Sequence, residues 1–366
     1  MNFDLTEEQR MLQEMLGQLL SDHCSVNDVH KLLEAESETD PALWKRLGEI
    51  GIPGLAIPEA YGGAGLETLD LAVAAETLGY HATPGPFLGH VLATQAIVLG
   101  GTEEQKKRWL PGLATGAQIG TVAFGESGSR WQAAQWSVPA ADKLCGRKEF
   151  VPSADLADLM VVGLEGGRLG VVERGAAGIR VEAIDGADRT RRLSNLDFAD
   201  TPCELLPEPA GSAVCDVGLV LLAADAFGGS QRLLEMCVEY AKVREQFGVI
   251  IGSFQALKHQ LADMAVDVEP NRGLYWFAAF AQDHVPEEAH RIAAIAKAHI
   301  TDRFMEIARA SVEVHGGIGF TWEGDVQIWF KRAMFDRAFL GTPDEHRERS
   351  LQMPGGLGLE QSGVER

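Results

Sequence analysis

The run Arg244-Glu245-Gln246-Phe247-Gly248 has the residue types needed to hold a flat, phosphorylated ligand. On the last turn of a helical pattern, Arg244 can offer a forked cation to a pyrophosphate. Phe247 supplies a flat apolar wall, and Gly248 lets the chain turn away. Together they read as half of a dinucleotide site. Further on, Gly316-Gly317 follows another helical stretch, and two residues without a Cβ allow the backbone to approach a ligand closely. Blander readings stay open: a surface ion pair beside a core aromatic, and a simple helix stop. His259 and His290 sit in helical patterns, no H-x-x-x-H spacing occurs, and no metal site is expected. Cys24, Cys145, Cys203, Cys215 and Cys237 are odd in number, far apart and in no C-x-x-C arrangement, so they read as small buried hydrophobes.

These residues need a scaffold. From Thr6 to about Gly116, apolar positions such as Leu12, Met15, Leu16 and Leu19 recur at helical spacing, and Thr6 followed by Glu7 and Glu8 resembles a helix start. Breaks fall at Gly51 to Gly54, at Pro58 to Gly65, and at Pro84-Gly85-Pro86. Between about Ala117 and Pro209 short apolar runs take over: Gly120 to Phe124, Leu159 to Leu164, Leu169 to Glu173 and Ile179 to Ile184. They are separated by Gly, Asp and Ser, the pattern of antiparallel strands. The helical period returns from Ala213. Leu234, Cys237, Val238 and Ala241 share one face, as do Phe254, Leu257, Leu261 and Met264 after a Gly-rich break, and Pro270 should kink or end that second helix. The expectation is a mainly α chain with a β middle domain: an N-terminal α-helical domain (1–116), a small antiparallel β-barrel (117–210), a second helical bundle (211–353) and a poorly ordered tail (354–366).

Composition narrows the function. The 366 residues include 53 acidic and 32 basic side chains, a formal charge of −21, and such a field repels nucleic acid. No apolar run approaches the roughly 20 residues of a membrane span, and the start lacks a basic region followed by an apolar stretch. A cytoplasmic protein, with no membrane and no nucleic acid among its partners, is expected.

Four segments carry a resemblance. They are Tyr240 to Gly248, continued by Gly252-Ser253-Phe254-Gln255; His315-Gly316-Gly317-Ile318-Gly319-Phe320-Thr321-Trp322-Glu323; Pro58 to Gly65; and Gly101 to Lys106 with Trp109-Leu110-Pro111. In this order, over nearly the whole chain, they resemble the acyl-CoA dehydrogenase family. The resemblance implies an N-terminal α domain, a middle β-barrel, a C-terminal four-helix bundle, and FAD as cofactor. It also implies an acyl-CoA substrate and an electron-transfer flavoprotein as acceptor. Arg244, Phe247, Gln255, Gly316 and Gly317 are then cofactor-binding residues that reach across a subunit interface. Glu313, where the family carries glutamine, joins them as an acceptor that cannot donate when ionised.

The chain departs from the family where chemistry is done. α,β-Dehydrogenation needs a carboxylate base at the thioester α-carbon. The glutamate that the family places before Gly-Thr is Leu340 here. The alternative position, 29 residues before Phe247, is Gly218. Asp216 and Asp225 are the nearest carboxylates and the candidates for a relocated base; Glu323 is expected to pair with a helix terminus or an arginine. The flavin-gripping T-E-P-G-x-G-S-D becomes Phe124-Gly125-Glu126-Ser127-Gly128-Ser129-Arg130. The residues flanking flavin N5 become Phe150-Val151-Pro152-Ser153, and Pro152 has neither hydroxyl nor N–H. The half-site donated to a neighbour is kept and the chain's own half is degraded. This resembles the subunit that lacks the glutamate in bacterial α2β2 acyl-CoA dehydrogenases acting on sterol side-chain thioesters. The expected activity is FAD-dependent dehydrogenation as a base-less partner subunit, on a bulky sterol-like acyl-CoA. The alternatives are a self-sufficient enzyme acting with copies of itself, a flavin relative with other oxidation chemistry, and a structural member without flavin.

Overall fold

A computed structural model describes residues 4–34 and 40–352. The expected tail over 354–366 lies outside the described residues. Six helices come first: α1 (Glu7–His23), α2 (Val26–Glu34), α3 (Pro41–Glu49), α4 (Thr68–Tyr80), α5 (Phe87–Gly100) and α6 (Glu103–Ala114). Thr6 starts α1 with a reciprocal cap, its hydroxyl accepting from Gln9 N–H and the Gln9 side chain accepting from Thr6 N–H. Thr102 and Gln105 repeat the device on α6. The Pro/Gly segments expected as breaks lie between helices, two of them as single 3-10 turns, Ile52–Gly54 and Glu59–Tyr61.

Seven strands follow: β1 (Gly120–Ala123), β2 (Lys143–Pro152), β3 (Leu159–Leu164), β4 (Arg168–Glu173), β5 (Ile179–Ile184), β6 (Leu193–Pro202) and β7 (Glu204–Leu206). They form two sheets, ordered β1-β3-β4-β7 and β2-β6-β5, around a core that includes Leu144, Val151, Val162, Val172, Leu196 and Phe198. One pairing is not antiparallel: β1 runs parallel to β3, because β2 crosses to the other sheet before the chain returns.

The last third is helical: α7 (Gly211–Val243), a hairpin of β8 (Glu245–Gln246) and β9 (Val249–Ile250), then α8 (Gln255–Val268), α9 (Asn271–His284), α10 (Pro286–His315), α11 (Val326–Ala338) and α12 (Pro343–Gln352). Pro270 separates α8 from α9. The central helix, α7, packs on α10 and α4. It meets α4 backbone to backbone: a Cβ on Gly79 would stand 2.2 Å from Asp225 O, and one on Gly228 2.0 Å from Glu76 O. By length and composition α7 could cross a membrane, contrary to the sequence reading, but 89% of its most apolar window is buried in the bundle. Four cysteines are buried as expected; Cys145 is exposed, on β2.

Candidate functional site

Two of the expected motifs share one end of the bundle. Arg244 N–H donates to Tyr240 O at 2.9 Å and closes α7. The chain then makes a hairpin whose two turn residues, Phe247 (φ 55) and Gly248 (φ 77), both lie in the left-handed region. Such turns favour Asn-Gly, so a phenylalanine there is strained, and it is also 92% exposed. Nothing in the chain's own stability explains it. At the end of α10, the His315 ring stacks on Tyr240 with 4.5 Å between centroids, and its Nδ1 donates to Ser311 O at 2.8 Å. That stack brings the Gly316-Gly317 turn to the Arg244 hairpin. Gly316 has φ 63, and a Cβ built on either glycine would meet nothing within 4 Å. Arg244, Phe247, Gln255, Glu313, Gly316 and Gly317 are all exposed. This end can present a guanidinium, a ring and two Cβ-free residues to a dinucleotide.

The middle of the molecule is built differently. Phe150 (φ 57) faces Phe339, at the end of α11, across a slot that Trp131 fills. The Trp131 ring centroid lies 6.1 Å from that of Phe150 and 5.0 Å from that of Phe339, and the residue is only 9% exposed. An apolar cavity of about 360 Å³ remains beside it. The loop before Trp131 is closed on itself, since Glu126 N–H donates to Arg130 O at 3.1 Å and Arg130 N–H returns to Glu126 O at 3.3 Å. The Glu126 side chain is turned inward. It accepts from Lys148 Nζ at 2.6 Å, from Ser137 N–H and hydroxyl, and from Val138 N–H. Burial pulls Lys148 down to about 8 against the attraction of Glu126. The Pro152 carbonyl is taken by the Thr121 hydroxyl. The Glu126 carboxylate and the Glu126 and Arg130 amides are already used within the chain. Trp131 thus occupies the slot between Phe150 and Phe339, while the hairpin end has the groups that suit one half of a dinucleotide.

The two base positions contain no carboxylate and pack on each other. Leu340, 3% exposed and in the left-handed region (φ 60), presses on Gly218. The candidates for a relocated base are corrected by their partners. Asp216 is 1% exposed, with one oxygen on His290 Nδ1 and the other on Arg349 Nη2 (3.0 Å), and it faces α10 and α12. Asp225 lies between Arg332 (2.8 and 2.6 Å) and Arg191. Burial acts to raise its pKa, but the two guanidiniums hold it at about 2, too low to accept a proton from carbon. Neither lines the slot. Glu323 is exposed and makes no ion pair within 4.0 Å among the described residues, contrary to expectation.

The sequence reading gave no role to Trp131, Lys297 or Arg332. Lys297, fully buried, donates to the carbonyls of Asp336, Arg337 (3.2 Å) and Gly341 (3.3 Å), capping α11 just below Leu340. His346 Nε2 holds the Leu340 carbonyl at 3.0 Å. A cation amid the apolar positions of an alanine-rich helix is the signal that could have singled out Lys297.

Comparison with known proteins places the chain in a family. The acyl-CoA dehydrogenase N-terminal domain profile matches residues 6–117, and the C-terminal domain profile matches residues 215–352. The acyl-CoA dehydrogenase IpdE2 of Mycolicibacterium smegmatis is 35% identical over 94% of this chain and 98% of its own length. Among solved structures, the Tcur3481-Tcur3483 steroid ACAD superposes with a TM-score of 0.87 at 31% identity, covering 94% of this chain and 96% of that one. The ChsE4-ChsE5 complex from Mycobacterium tuberculosis does so with a TM-score of 0.86 at 27% identity, over 95% and 97%.

Proposed function

We propose, from the premise that the chain belongs to the acyl-CoA dehydrogenase family of FAD-dependent oxidoreductases, that it is the base-less partner subunit of a heteromeric, α2β2 enzyme. The observation that carries this reading is Trp131. Its indole spans from Phe150, at the family's flavin-flanking position, to Phe339, the residue before its base position. Leu340 packed on Gly218 supports it from the other side. Two of the similar proteins are two-protein assemblies, one of them a steroid ACAD, which supports a second subunit and a bulky sterol-like acyl-CoA.

In the assembly this chain's task is to bind. Arg244 provides two parallel N–H donors to the cofactor's pyrophosphate, and Phe247 provides the wall. Gln255, Glu313 and the Gly316-Gly317 backbone receive the adenosine end. FAD held by these residues would supply a hydride acceptor for the substrate β-carbon, and the carboxylate base for the α-proton would have to come from the partner subunit. An electron-transfer flavoprotein is the acceptor and the cytoplasm the compartment. The large apolar side chains exposed at the hairpin end, Val243 (75%), Phe247 (92%), Ile318 (46%) and Phe320 (82%), suit burial against that partner.

FAD content and native mass, measured on the chain purified alone and after co-expression with an adjacent acyl-CoA-dehydrogenase-like gene, test the reading. Little FAD alone and about one FAD per heterodimer are expected. A homo-oligomer with one FAD per chain would overturn it.

A further inference from the structure

The cofactor groups of the hairpin end stand on two separate tips of the bundle. Arg244, Phe247 and Gly248 follow α7, whereas Gly316 and Gly317 follow α10. A Cβ on any of these three glycines would meet nothing within 4 Å, so they pack on nothing that would fix one tip against the other. Tyr240 stands between the tips. Its carbonyl accepts the Arg244 N–H at 2.9 Å, and its ring stacks with that of His315, with 4.5 Å between centroids and 26° between planes. The imidazole is held in its turn by the bundle. Nδ1 donates to Ser311 O at 2.8 Å, one helical turn back on α10, and lies 4.0 Å from the sulfur of Cys237, one turn back from Tyr240 on α7. Ser311 and Cys237 are both fully buried, while His315 and Tyr240 are half-buried. His315 is followed directly by Gly316, whose N–H donates to the Val312 and Glu313 carbonyls and closes α10. A continuous run of contacts thus leads from Arg244 through Tyr240 and His315 to the two glycines.

We propose that His315 is a positioning residue for the dinucleotide. Its ring on Tyr240 sets the spacing between the guanidinium that meets the pyrophosphate and the glycine backbone that meets the adenosine end. In this role it acts through Gly316 on one side and, by way of Tyr240, through Arg244 on the other. Two half-sites held at a fixed spacing spare the complex the cost of ordering them when the cofactor binds. The ring must be flat, because a stacked aromatic pair prefers a narrow range of geometries, whereas an aliphatic side chain of similar volume lets the tips slide past each other. The Nδ1–H bond to Ser311 adds the orientation of the ring about its own axis. The proposal rests on the partner-subunit reading for the identity of the subunit whose FAD is held, and on the geometry of the two tips for the spacing itself.

Equilibrium binding of FAD to the co-expressed heteromer, followed by flavin fluorescence, tests this with variants that keep or remove the ring. His315→Leu fills the space without a flat ring and should weaken FAD about tenfold, with the native mass unchanged. His315→Phe keeps the ring and should stay within about threefold of the parent, while Tyr240→Leu should repeat the loss. In an Arg244→Ala background there is no guanidinium left to be spaced, and His315→Leu should then cost no more than about twofold. Any of three results overturns the proposal: His315→Leu as tight as the parent, His315→Phe as weak as His315→Leu, or the same fold loss with and without Arg244. The partner-subunit reading fails separately. If the parent is a homo-oligomer with one FAD per chain, that reading falls, and the same variants measured in the homo-oligomer decide the role of His315.

Discussion

Leu340 Cδ1 lies 2.5 Å from the point at which a Cβ on Gly218 would stand, and Leu92 closes the same point at 3.3 Å. The two positions at which the family resemblance leads us to expect a base are the two sides of one apolar contact. Gly218→Ala should therefore destabilise the chain by about 1–3 kcal/mol through overpacking. Leu340→Ala should recover part of that loss in the double variant, a coupling read from urea midpoints.

The buried charges around α11 should respond unequally to neutralisation. Asp225 faces two guanidiniums, so Asp225→Asn leaves them uncompensated and should cost about 3–5 kcal/mol. Burial, together with the nearby Asp225 charge, pushes the Asp336 pKa well above its ordinary value against the pull of Arg191 and Arg332. Asp336→Asn should then stay within about 1 kcal/mol of the parent. Equal losses in chemical denaturation would show that both acids are ionised.

The same cluster sets an acid limit. Folding lowers the Asp225 pKa from about 3.9 to about 2, so its contribution is fully present above pH 4 and is lost as pH falls toward 2. Unfolding curves between pH 5 and pH 2 should steepen for the parent relative to Asp225→Asn over that window.

Lys297 acts at the other end of the scale. Burial draws it down to about 7 even though Asp336 pulls upward. The unfolded chain therefore binds more protons than the folded one between about pH 7 and pH 10.4, and stability rises with pH there. Lys297→Met should flatten that rise. It should also loosen the turn at Leu340 by removing three hydrogen bonds to carbonyls.

In the co-expressed complex, Arg244→Ala should lower FAD affinity by about 1.5–3 kcal/mol, the value of hydrogen bonds to a charged group. Arg244→Lys should recover only part, because an ammonium cannot present a fork. Retention of flavin through a desalting column, compared between parent and variants, reads the effect.

Much of the layout was legible in the sequence because it rests on local rules. Thr6 and Gln9 announce α1, Pro270 divides α8 from α9, and Leu159 to Leu164 is a strand buried on both faces. β2 and β6 were harder to see. Their apolar residues are interrupted by polar ones, as at Leu196 and Phe198, whose buried face also takes Ser194, so no continuous apolar run marks them. At the site, Arg244, Phe247 and the two glycines could be read because a motif is a run of neighbours. Trp131 could not, because its role comes from Phe150 and Phe339, distant in the chain and adjacent only in space. The ion partners of Asp216 and Asp225 come from α10, α11, α12 and the β5–β6 loop, so their unsuitability as bases was invisible without coordinates.

The exposed rings of the hairpin end also bear on life before assembly. A newly made chain that shows Phe247 and Phe320 to water displays what chaperones and proteases use to sort unfinished proteins. Its lifetime should depend on how soon a mate covers them, so unbalanced synthesis would be corrected by clearance of the unmated copy. On the partner-subunit proposal, the aromatic turn doubles as a stoichiometry check.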